Sequence, residues 1–587
     1  MATEVSPDGE ASCSRYPTVV CSRNPVEITF RWPRLVLFIT SLALPLAALV
    51  SFIPTASAQQ PHVKGATAGN SASRSEAASL LPEAVALLQA GKLDEAEPLI
   101  RRAVAADPQN SDAHNLLGAI LDQRGQVKDA EREYRTALRL SPRAVSALAN
   151  LGVLLARTNR SREAIEAFEA VLREVPDHPQ AMFNLGLQYA ATGNYNRAIP
   201  LLERATGVGV NADQRVNQDP KQLLALASVY FHAGRVTDGI RLAEMIERSA
   251  GDDASALFAL GLTLFDAGQF ERALALYQHA NALRPNTFEI LYNMGLALYS
   301  LKRMDEAASA LQSAAALSPS DAGVPYYLGL IASERGQSGS AIDFYERALK
   351  LRSSFPEANF MLAEELRKTR RVAAAKEFYE RALAEDPNKP VYYIRLGGVY
   401  MLLNLYEPAL QTFQHAAERF PDIAELNYFI GIAARGAALY DLAERALRKS
   451  IALQPDNVDA YAQLGFIIGE RGNTAEAEKL LRQAIAINGK HFYANYDLGR
   501  LLVRSRRYEE AIPVLEGAVK LRPSNPGVHY QLFMALSRLK RKDEAEHELA
   551  LFKQLDEERK ARQRSGQPTE DDIEDTSREK QPSATQQ

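Results

Sequence analysis

Nine prolines in this chain of 587 residues are separated by whole multiples of 34 residues, apart from one slip. A fixed period of this length indicates one supersecondary unit copied along the chain, and it limits the fold more than any other feature. The slip lies between Pro176 and Pro285, which are 109 residues apart, or three periods plus seven. The chain is therefore predicted to be a repeat array with one interruption. The other prolines of the series are Pro108, Pro142, Pro319, Pro387, Pro421, Pro455 and Pro523.

The segment Asn115–Pro142 shows how one unit is expected to fold. Its first half carries apolar residues at helical spacing, and Gly125 then ends a first helix where a left-handed residue is needed. A second amphipathic helix follows and stops at Pro142, because proline cannot continue a helix. Gly118 and Ala130 are small, which lets two antiparallel helices approach closely. Each unit is therefore predicted to be a helical hairpin.

Small residues recur at two fixed distances before the proline site. Alanine stands twelve residues before it in 13 of 14 units, and glycine stands twenty-four residues before it in 10 of 14. The alanines are Ala96, Ala130, Ala164, Ala198, Ala273, Ala307, Ala341, Ala375, Ala409, Ala443, Ala477, Ala511 and Ala545. The glycines are Gly118, Gly152, Gly186, Gly261, Gly295, Gly329, Gly397, Gly431, Gly465 and Gly499.

This pattern resembles the tetratricopeptide repeat, over roughly residues 75–557. The small residue, aromatic residue, alanine and proline of that family appear at Gly118, Tyr134, Ala137 and Pro142, with a second alanine at Ala130. The resemblance implies an all-α, right-handed α-solenoid superhelix of about 14 hairpins. It also implies that the first helices line a concave groove.

The ends of the array and its slip divide the chain into six segments. We expect a signal sequence or amino-terminal membrane anchor, a flexible linker, repeats 1–4, an insertion or hinge, repeats 5–14, and a polar cap with a disordered tail. The last helix is expected to run on to about Arg564. The boundaries are, in this order, 1–58, 59–74, 75–210, 211–217, 218–557 and 558–587.

The residue pattern of the amino-terminal segment predicts an export signal. Arg31 and Arg34 precede the apolar stretch Leu35–Ile53, and a site for cleavage follows at Ala58. We therefore expect an extracytoplasmic array, periplasmic or secreted. Nineteen apolar residues could also stay as an anchor in the inner membrane. The only two cysteines of the chain lie before this stretch, so the exported part has no disulfide framework.

No segment outside the repeats is long enough for a catalytic domain, so the chain is not expected to be an enzyme. The nine histidines show no metal-ligand spacing, and no phosphate-binding loop occurs, so neither a metal nor a cofactor is expected. The net charge is −4 and the charges are interspersed. Nucleic-acid binding, which needs clustered positive charge, is therefore excluded from the expected partners.

Two sets of residues are candidates for a partner-binding groove. Aromatic residues recur near the start of the first helices, at a position that in the tetratricopeptide family tends to face the groove. They could line it or, alternatively, pack as ordinary core between adjacent first helices. Three asparagines resemble the ladder of the O-GlcNAc transferase repeats, although helix-surface asparagine is the alternative. The candidates are Phe183, Phe258, Tyr292, Tyr326, Phe360, Tyr428, Tyr496 and Tyr530, with Asn150, Asn184 and Asn293.

The leading functional hypothesis is a non-enzymatic, exported scaffold that binds a peptide or partner protein in its groove. An alternative is a periplasmic subunit of an envelope or exopolysaccharide assembly and secretion machine, for which a glycan is a second kind of ligand. A third hypothesis, the regulatory array of a transferase, is disfavoured because no catalytic domain accompanies the repeats.

Overall fold

The computed structural model of the chain describes residues 68–208 and 219–564. This part of the chain forms 28 α-helices and contains no strand, which confirms an all-α fold. The apolar stretch Leu35–Ile53, the cleavage site at Ala58, the insertion 211–217 and the tail beyond Arg564 lie outside the described residues. None of the helices in the described ranges is long and apolar enough to cross a membrane.

The helices pair in sequence into fourteen hairpins, with odd-numbered first helices and even-numbered second helices. They are α1 (Ala68–Gln89), α2 (Leu93–Ala106), α3 (Ser111–Gln123), α4 (Val127–Leu140), α5 (Val145–Arg157), α6 (Ser161–Glu174), α7 (Pro179–Ala191), α8 (Tyr195–Thr206), α9 (Pro220–His232), α10 (Val236–Ala250), α11 (Ala254–Asp266), α12 (Phe270–Leu283), α13 (Phe288–Ser300), α14 (Met304–Leu317), α15 (Gly323–Glu334), α16 (Ser338–Leu351), α17 (Pro356–Lys368), α18 (Val372–Glu385), α19 (Pro390–Leu402), α20 (Tyr406–Arg419), α21 (Ala424–Gly436), α22 (Tyr440–Leu453), α23 (Val458–Glu470), α24 (Thr474–Ile487), α25 (Phe492–Arg504), α26 (Tyr508–Leu521), α27 (Pro526–Arg538) and α28 (Lys542–Arg564).

The hairpins divide into two compact units at residues 319 and 320. The amino-terminal unit contains α1–α14 and the carboxyl-terminal unit contains α15–α28. In each unit the core lies between a first helix, its own second helix and the first helix that follows.

A left-handed residue ends the first helix of every hairpin. At Gly125 the φ angle is +73°, and the next N–H, of Gln126, donates to the carbonyl oxygen of Leu121 over 2.9 Å. This is the hydrogen bond that closes a helix end of the Schellman type. Seven hairpins use glycine at this position, as expected, and the other seven place a larger residue there. The larger residues are Asn159, Lys302, Arg370, Asn404, Ala438, Arg506 and Lys540.

The small residues of the repeat lie where the two helices of a hairpin meet. A Cβ atom added to Gly118 would lie 2.7 Å from the Tyr134 ring of the second helix, and all ten glycines of this series meet a large side chain in the same way. The thirteen repeat alanines are buried. Gly239 replaces the alanine in α10 because the Phe231 ring of α9 fills the space, 2.7 Å from where its Cβ would be.

Packing continues across the predicted insertion. α8 ends at Thr206 and α9 begins at Pro220, and both belong to the amino-terminal unit. The Tyr230 hydroxyl of α9 donates to Glu203 Oε1 of α8 over 2.8 Å. Residues 211–217, where a hinge was predicted, are themselves outside the described part of the chain. The division into compact units falls elsewhere, beyond α14.

The two ends of the array differ from the prediction in one respect. α1 begins at Ala68, so the predicted linker 59–74 is helical over its last seven residues. The segment after Pro61 contains several alanines and no proline before Pro82, so nothing in it stops the first helix from extending backwards. At the other end, α28 runs to Arg564, as the sequence predicts.

Four histidines are buried at the junctions between repeats. His178 and His491 accept the N–H groups of Ala181 and Ala494 as helix caps. His529 Nε2 contacts the carbonyl oxygen of Pro523 at 2.8 Å. His114 Nε2 makes the equivalent contact with the carbonyl oxygen of Pro108 at 3.2 Å. The side chains therefore satisfy backbone groups that the helix ends leave unpaired.

The helix-ending turn generates a test of stability. Ala438 adopts a φ of +60°, which costs an L-residue with a Cβ atom about 1 kcal/mol. Ala438→Gly should therefore raise the free energy of unfolding by about 0.5–1 kcal/mol, part of the gain being offset by the freer unfolded chain. Gly336→Ala should lower it, because φ there is +71° although a Cβ atom would meet nothing within 4 Å. Denaturant unfolding of the full chain, followed by circular dichroism, measures both. Unchanged midpoints in both variants would contradict the role of the turn.

Candidate functional site: the open face of the first helices

The predicted groove residues lie on one side of each first helix, which we call the open face. It consists of the residues at positions −3, −2, +1, +4 and +5, counted from the small residue of the helix. These spacings bring side chains onto one side of an α-helix. In α11 the small residue, Gly261, faces the Tyr277 ring of the second helix, and a Cβ atom added there would lie 2.5 Å from that ring. The open face of α11 is Phe258, Ala259, Leu262, Phe265 and Asp266.

Most of the predicted aromatic residues are part of the core. The Phe360 ring centre lies 4.8 Å from that of Tyr392 on the next first helix and 5.6 Å from that of Tyr379 on its own second helix. Such rings fill space between helices, as the alternative interpretation of the pattern expects, and they offer no face to a ligand. The buried members are Phe183, Tyr326, Phe360, Tyr428 and Tyr496.

The other three aromatic candidates are accessible to different degrees. Phe258 and Tyr292 are half-buried, and Tyr530 in the last hairpin is 39% exposed. The Tyr292 ring stacks on that of Phe288 at 5.5 Å, and the Tyr530 ring lies 5.2 Å from that of Phe552. The aromatic set is therefore not one continuous surface.

The three asparagines do not form a ladder either. Asn150 is buried and its Nδ2 donates to Asn115 Oδ1 of the preceding first helix over 3.0 Å. Asn184 accepts from Gln180, and Asn293 donates to the carbonyl oxygen of Glu289 over 2.8 Å, so both bond within their own helix. Only Asn150 joins two first helices, and it does so by using the amide that a ligand would need.

In the amino-terminal unit, α11 and α13 share an accessible apolar surface. Phe258, Leu262 and Phe265 are half-buried and follow one another at spacings of four and three residues. Tyr292 and Tyr299 are half-buried on α13, the next first helix. We call these five residues the apolar strip. The side chains are apolar or aromatic and partly accessible to solvent, which makes the strip a candidate surface for burying a ligand.

In the carboxyl-terminal unit the open face is charged and joined from helix to helix. The guanidinium carbons of Arg435 and Arg500 lie 5.6 Å and 4.9 Å from the centre of the Phe466 ring. The three residues come from α21, α23 and α25, which are successive first helices. Phe466 is only 2% exposed, so these cation–π contacts are largely shielded from water.

Ion pairs continue this network at the ends of the same helices. Arg500 Nη2 and Arg504 Nη1 of α25 lie 3.0 Å and 3.1 Å from Glu470 Oε1 of α23. Arg504 also donates to the carbonyl oxygen of Gly469, the residue before Glu470. Arg500 and Arg504 therefore each have an acceptor on the preceding first helix.

A second cluster surrounds Glu364 on α17. Glu364 is buried, its carboxylate lies 2.9 Å from Arg367 Nη2 and 3.1 Å from Arg395 Nε of α19, and it accepts the Tyr379 hydroxyl. Burial by itself raises the pKa of this carboxyl, but Arg395 and Arg367, together with the Tyr379 hydroxyl, outweigh burial and hold the pKa below its usual range. A neighbouring carboxylate, Glu365, pairs with Lys368 over 2.6 Å.

The sequence did not predict these charged clusters, because a charged side chain on a helix usually faces solvent. The missed signal is positional: Glu364, Arg435 and Arg500 occupy open-face positions that are apolar in α11 and α13. The repeat brings these positions next to another first helix. A charged residue at such a position therefore predicts an oppositely charged or aromatic partner on that helix. Such pairs are not confined to one unit, since Arg157 of α5 pairs with the buried Asp122 of α3 at open-face positions of the amino-terminal unit. The open face is therefore apolar on α11 and α13 and ionic at several other first helices.

Three family models match separate parts of the chain. The model described as Tetratricopeptide repeat matches residues 81–145, 121–161 and 149–220. The model described as Anaphase-promoting complex, cyclosome, subunit 3 matches residues 240–314. The model described as Cilia and flagella-associated protein 70 C-terminal domain matches residues 352–566.

Solved structures that match the chain include yeast Tom70, the APC/C heterotetramer Cut9–Hcn1 and a tetratricopeptide repeat protein from Parabacteroides merdae. Their sequence identities to this chain are 16%, 13% and 19%, and their TM-scores are 0.31, 0.32 and 0.33. The matches cover 74%, 79% and 42% of this chain and 97%, 98% and 94% of the other chains, in the same order. No curated protein sequence matches the chain.

The Glu364 cluster generates a test by pH. A carboxyl whose pKa is lowered by folding stabilises the protein above its unfolded pKa, about 4.3, and this contribution is lost as the pH falls through the folded value. Glu364→Gln should therefore lower the free energy of unfolding at pH 7 by about 1.5–3 kcal/mol. The difference from the wild type should shrink below about pH 4.

Glu377 provides the control, because its side chain is 59% exposed and pairs with Arg381 on the surface of α18. Glu377→Gln should change stability by less than about 0.5 kcal/mol at either pH. Denaturant unfolding at pH 7 and pH 3.5 compares the variants. A Glu364→Gln deficit that is the same at both pH values would contradict the assignment of an ionised, paired carboxylate.

Proposed function

Because the chain is a tetratricopeptide repeat protein, we propose that it is a non-enzymatic scaffold that binds an extended segment of a partner protein on the apolar strip of α11 and α13. Its architecture, a stack of hairpins without a further domain in the described ranges, is of the kind that serves protein interaction.

The observation that carries the proposal is the incomplete burial of the apolar strip. At most of the same open-face positions, α17, α23 and α25 carry ion pairs or buried rings. The strip instead leaves Leu262, Phe265 and Tyr299 partly accessible. Covering apolar surface is the main favourable term in most protein associations, so this is where a ligand gains most.

The chemistry of the strip favours a partner with apolar or aromatic side chains. Its five members offer ring faces and one branched aliphatic side chain, and its rim carries the exposed carboxylate of Asp266. An extended segment with alternating apolar side chains would place them on successive first helices.

The test is a peptide selection followed by affinity measurement. Peptides selected from a random library on the full chain should be rich in apolar and aromatic residues and bind saturably. The double variant Leu262→Gln/Tyr299→Ala should weaken their binding at least about tenfold, since each side chain contributes about 1 kcal/mol or more when buried. Fluorescence anisotropy measures the dissociation constants, and circular dichroism confirms that helicity is retained.

Two leucines at the ends of the second helices of the same hairpins provide the matched control. Leu283 and Leu317 are 39% and 43% exposed but do not belong to the strip. Leu283→Gln/Leu317→Gln should leave the affinity within about twofold of the wild type, because these side chains contact no ligand in the proposal. Equal losses in both double variants, or no saturable peptide, would overturn it. Binding of oligosaccharides in place of peptides would favour the envelope polysaccharide machine instead.

We also propose that the scaffold acts outside the cytoplasm. The support lies in the sequence alone: Arg31 and Arg34, the apolar stretch Leu35–Ile53 and the small residues that end at Ala58 follow the order of a secretory signal. Amino-terminal sequencing of the protein from the envelope fraction should give Gln59 as the first residue. An intact amino terminus in that fraction would indicate an uncleaved anchor, and recovery only from the cytoplasm would contradict export.

A further inference from the structure

The turns that join first to second helices lie along one edge of the carboxyl-terminal unit. The end of each first helix contacts the end of the next: the Tyr406 ring after α19 lies where a Cβ atom on Gly436 of α21 would be, and Arg504 of α25 contacts Gly469 of α23. We call this edge the tip edge. Because all first helices of the unit run the same way, their carboxyl ends, and hence the turns, are neighbours.

Two adjacent turns of the tip edge are apolar. They read Leu403-Asn404-Leu405 and Ala437-Ala438-Leu439, whereas the other five turns of the unit contain arginine or lysine. Leu405 and Leu439 are 40% and 46% exposed. A leucine at this position can pack on the helix end that it follows, yet almost half of each side chain here faces solvent. We call these six residues the tip patch.

Tyrosines join the two turns and border them. Tyr406, the first residue of α20, packs over Gly436, so that the two apolar turns form one surface. Its hydroxyl donates to Asn404 Oδ1 over 2.9 Å. Tyr440 occupies the same position at the start of α22 and is also half-buried. Tyrosine has an apolar ring and a polar hydroxyl group, and it is typical of surfaces where an apolar phase meets water.

Exposed cations lie on the same edge, next to the tip patch in the turn after α17 and farther along the edge near the ends of α25 and α27. The side chains of five of them make no ion pair or hydrogen bond within the described ranges, and we call these five the tip cations. Three carboxylates without ion pairs, Glu407, Glu509 and Asp543, lie in the first turns of second helices, so cations are in excess at the turns themselves. The tip cations are Arg370, Arg371, Arg506, Arg538 and Lys540.

We propose that the tip edge of the carboxyl-terminal unit docks on an anionic lipid bilayer, with the tip patch inserted among the headgroups and the tip cations on the lipid phosphates. The patch is a pair of projecting turns rather than a groove, so it suits insertion into a soft surface. The tip cations along the same edge complement a negatively charged surface, and tyrosines belong at the boundary. This contact is separate from the apolar strip and does not depend on it.

The experiment uses a fluorescent reporter on the full chain. The only cysteines, Cys13 and Cys21, are replaced by serine, and single cysteines are introduced by Leu405→Cys or Leu439→Cys for labelling with a nitrobenzoxadiazole dye. The emission of this dye rises and shifts to the blue when it leaves water. Vesicles of phosphatidylglycerol and phosphatidylcholine in equal parts are compared with vesicles of phosphatidylcholine alone.

Leu351 and Leu453 provide matched control positions, because they are 45% and 43% exposed at the ends of second helices, away from the tip edge. We expect a blue shift for dyes at 405 and 439 with the anionic vesicles and none at 351 and 453. The controls share the apolar stretch Leu35–Ile53, so membrane binding through that stretch alone would not produce this pattern.

A charge variant tests the electrostatic part. Arg370→Gln/Arg371→Gln should raise the lipid concentration at half-maximal shift by about tenfold or more, since each cation near an anionic surface contributes about a fivefold factor. Equal shifts at all four positions, or none at 405 and 439, would overturn the proposal. A blue shift at 439 that needs no vesicles and grows with protein concentration would also overturn it, by showing that the patch binds a second copy.

Discussion

Ten of the fourteen hairpins depend on one contact, in which a glycine of the first helix leaves a space that a large side chain of the second helix fills. Gly118 against Tyr134 is one example, and the glycine of α25, Gly499, meets Leu515 in the same way. The contact brings the two backbones close, and the left-handed residue between the helices lets the chain turn within three residues. Because the same contact recurs, the first helices of each unit run in parallel and their side chains form continuous surfaces.

Different first helices use that repeated surface differently. On α17–α25 the open face is held by Glu364, Glu470 and the arginines that pair with them across successive first helices. Removing one partner of such a pair leaves a buried charge, so the pairs hold neighbouring hairpins in register. On α11 and α13 the open face carries apolar and aromatic side chains that remain partly accessible. A partner gains most by covering apolar side chains that the packing leaves accessible, and we therefore assign partner binding to the apolar strip.

Periodicity in the sequence predicts the hairpins, the left-handed turns and the end of α28, because each depends on a few residue types at fixed spacing. It does not predict which aromatic residues are accessible. Phe258 and Phe360 occupy the same position of the repeat, but Tyr392 covers Phe360 while Phe258 remains half-buried. Burial at that position depends on the residue that the next first helix supplies, so it is a property of pairs of repeats. The start of α1 inside the predicted linker has another cause, since composition rich in alanine and serine suits a linker and a helix equally.

The most direct test of the account is site-specific photocrosslinking in living cells. A photoreactive amino acid at position 262 or 299 is compared with one at position 432 or 503, where Ile432 and Val503 are half-buried open-face residues of the carboxyl-terminal unit. We expect crosslinks to a partner protein from positions 262 and 299 and none from positions 432 and 503. Crosslinks confined to the carboxyl-terminal unit, or equal at all four positions, would contradict the claim that the apolar strip is the binding surface.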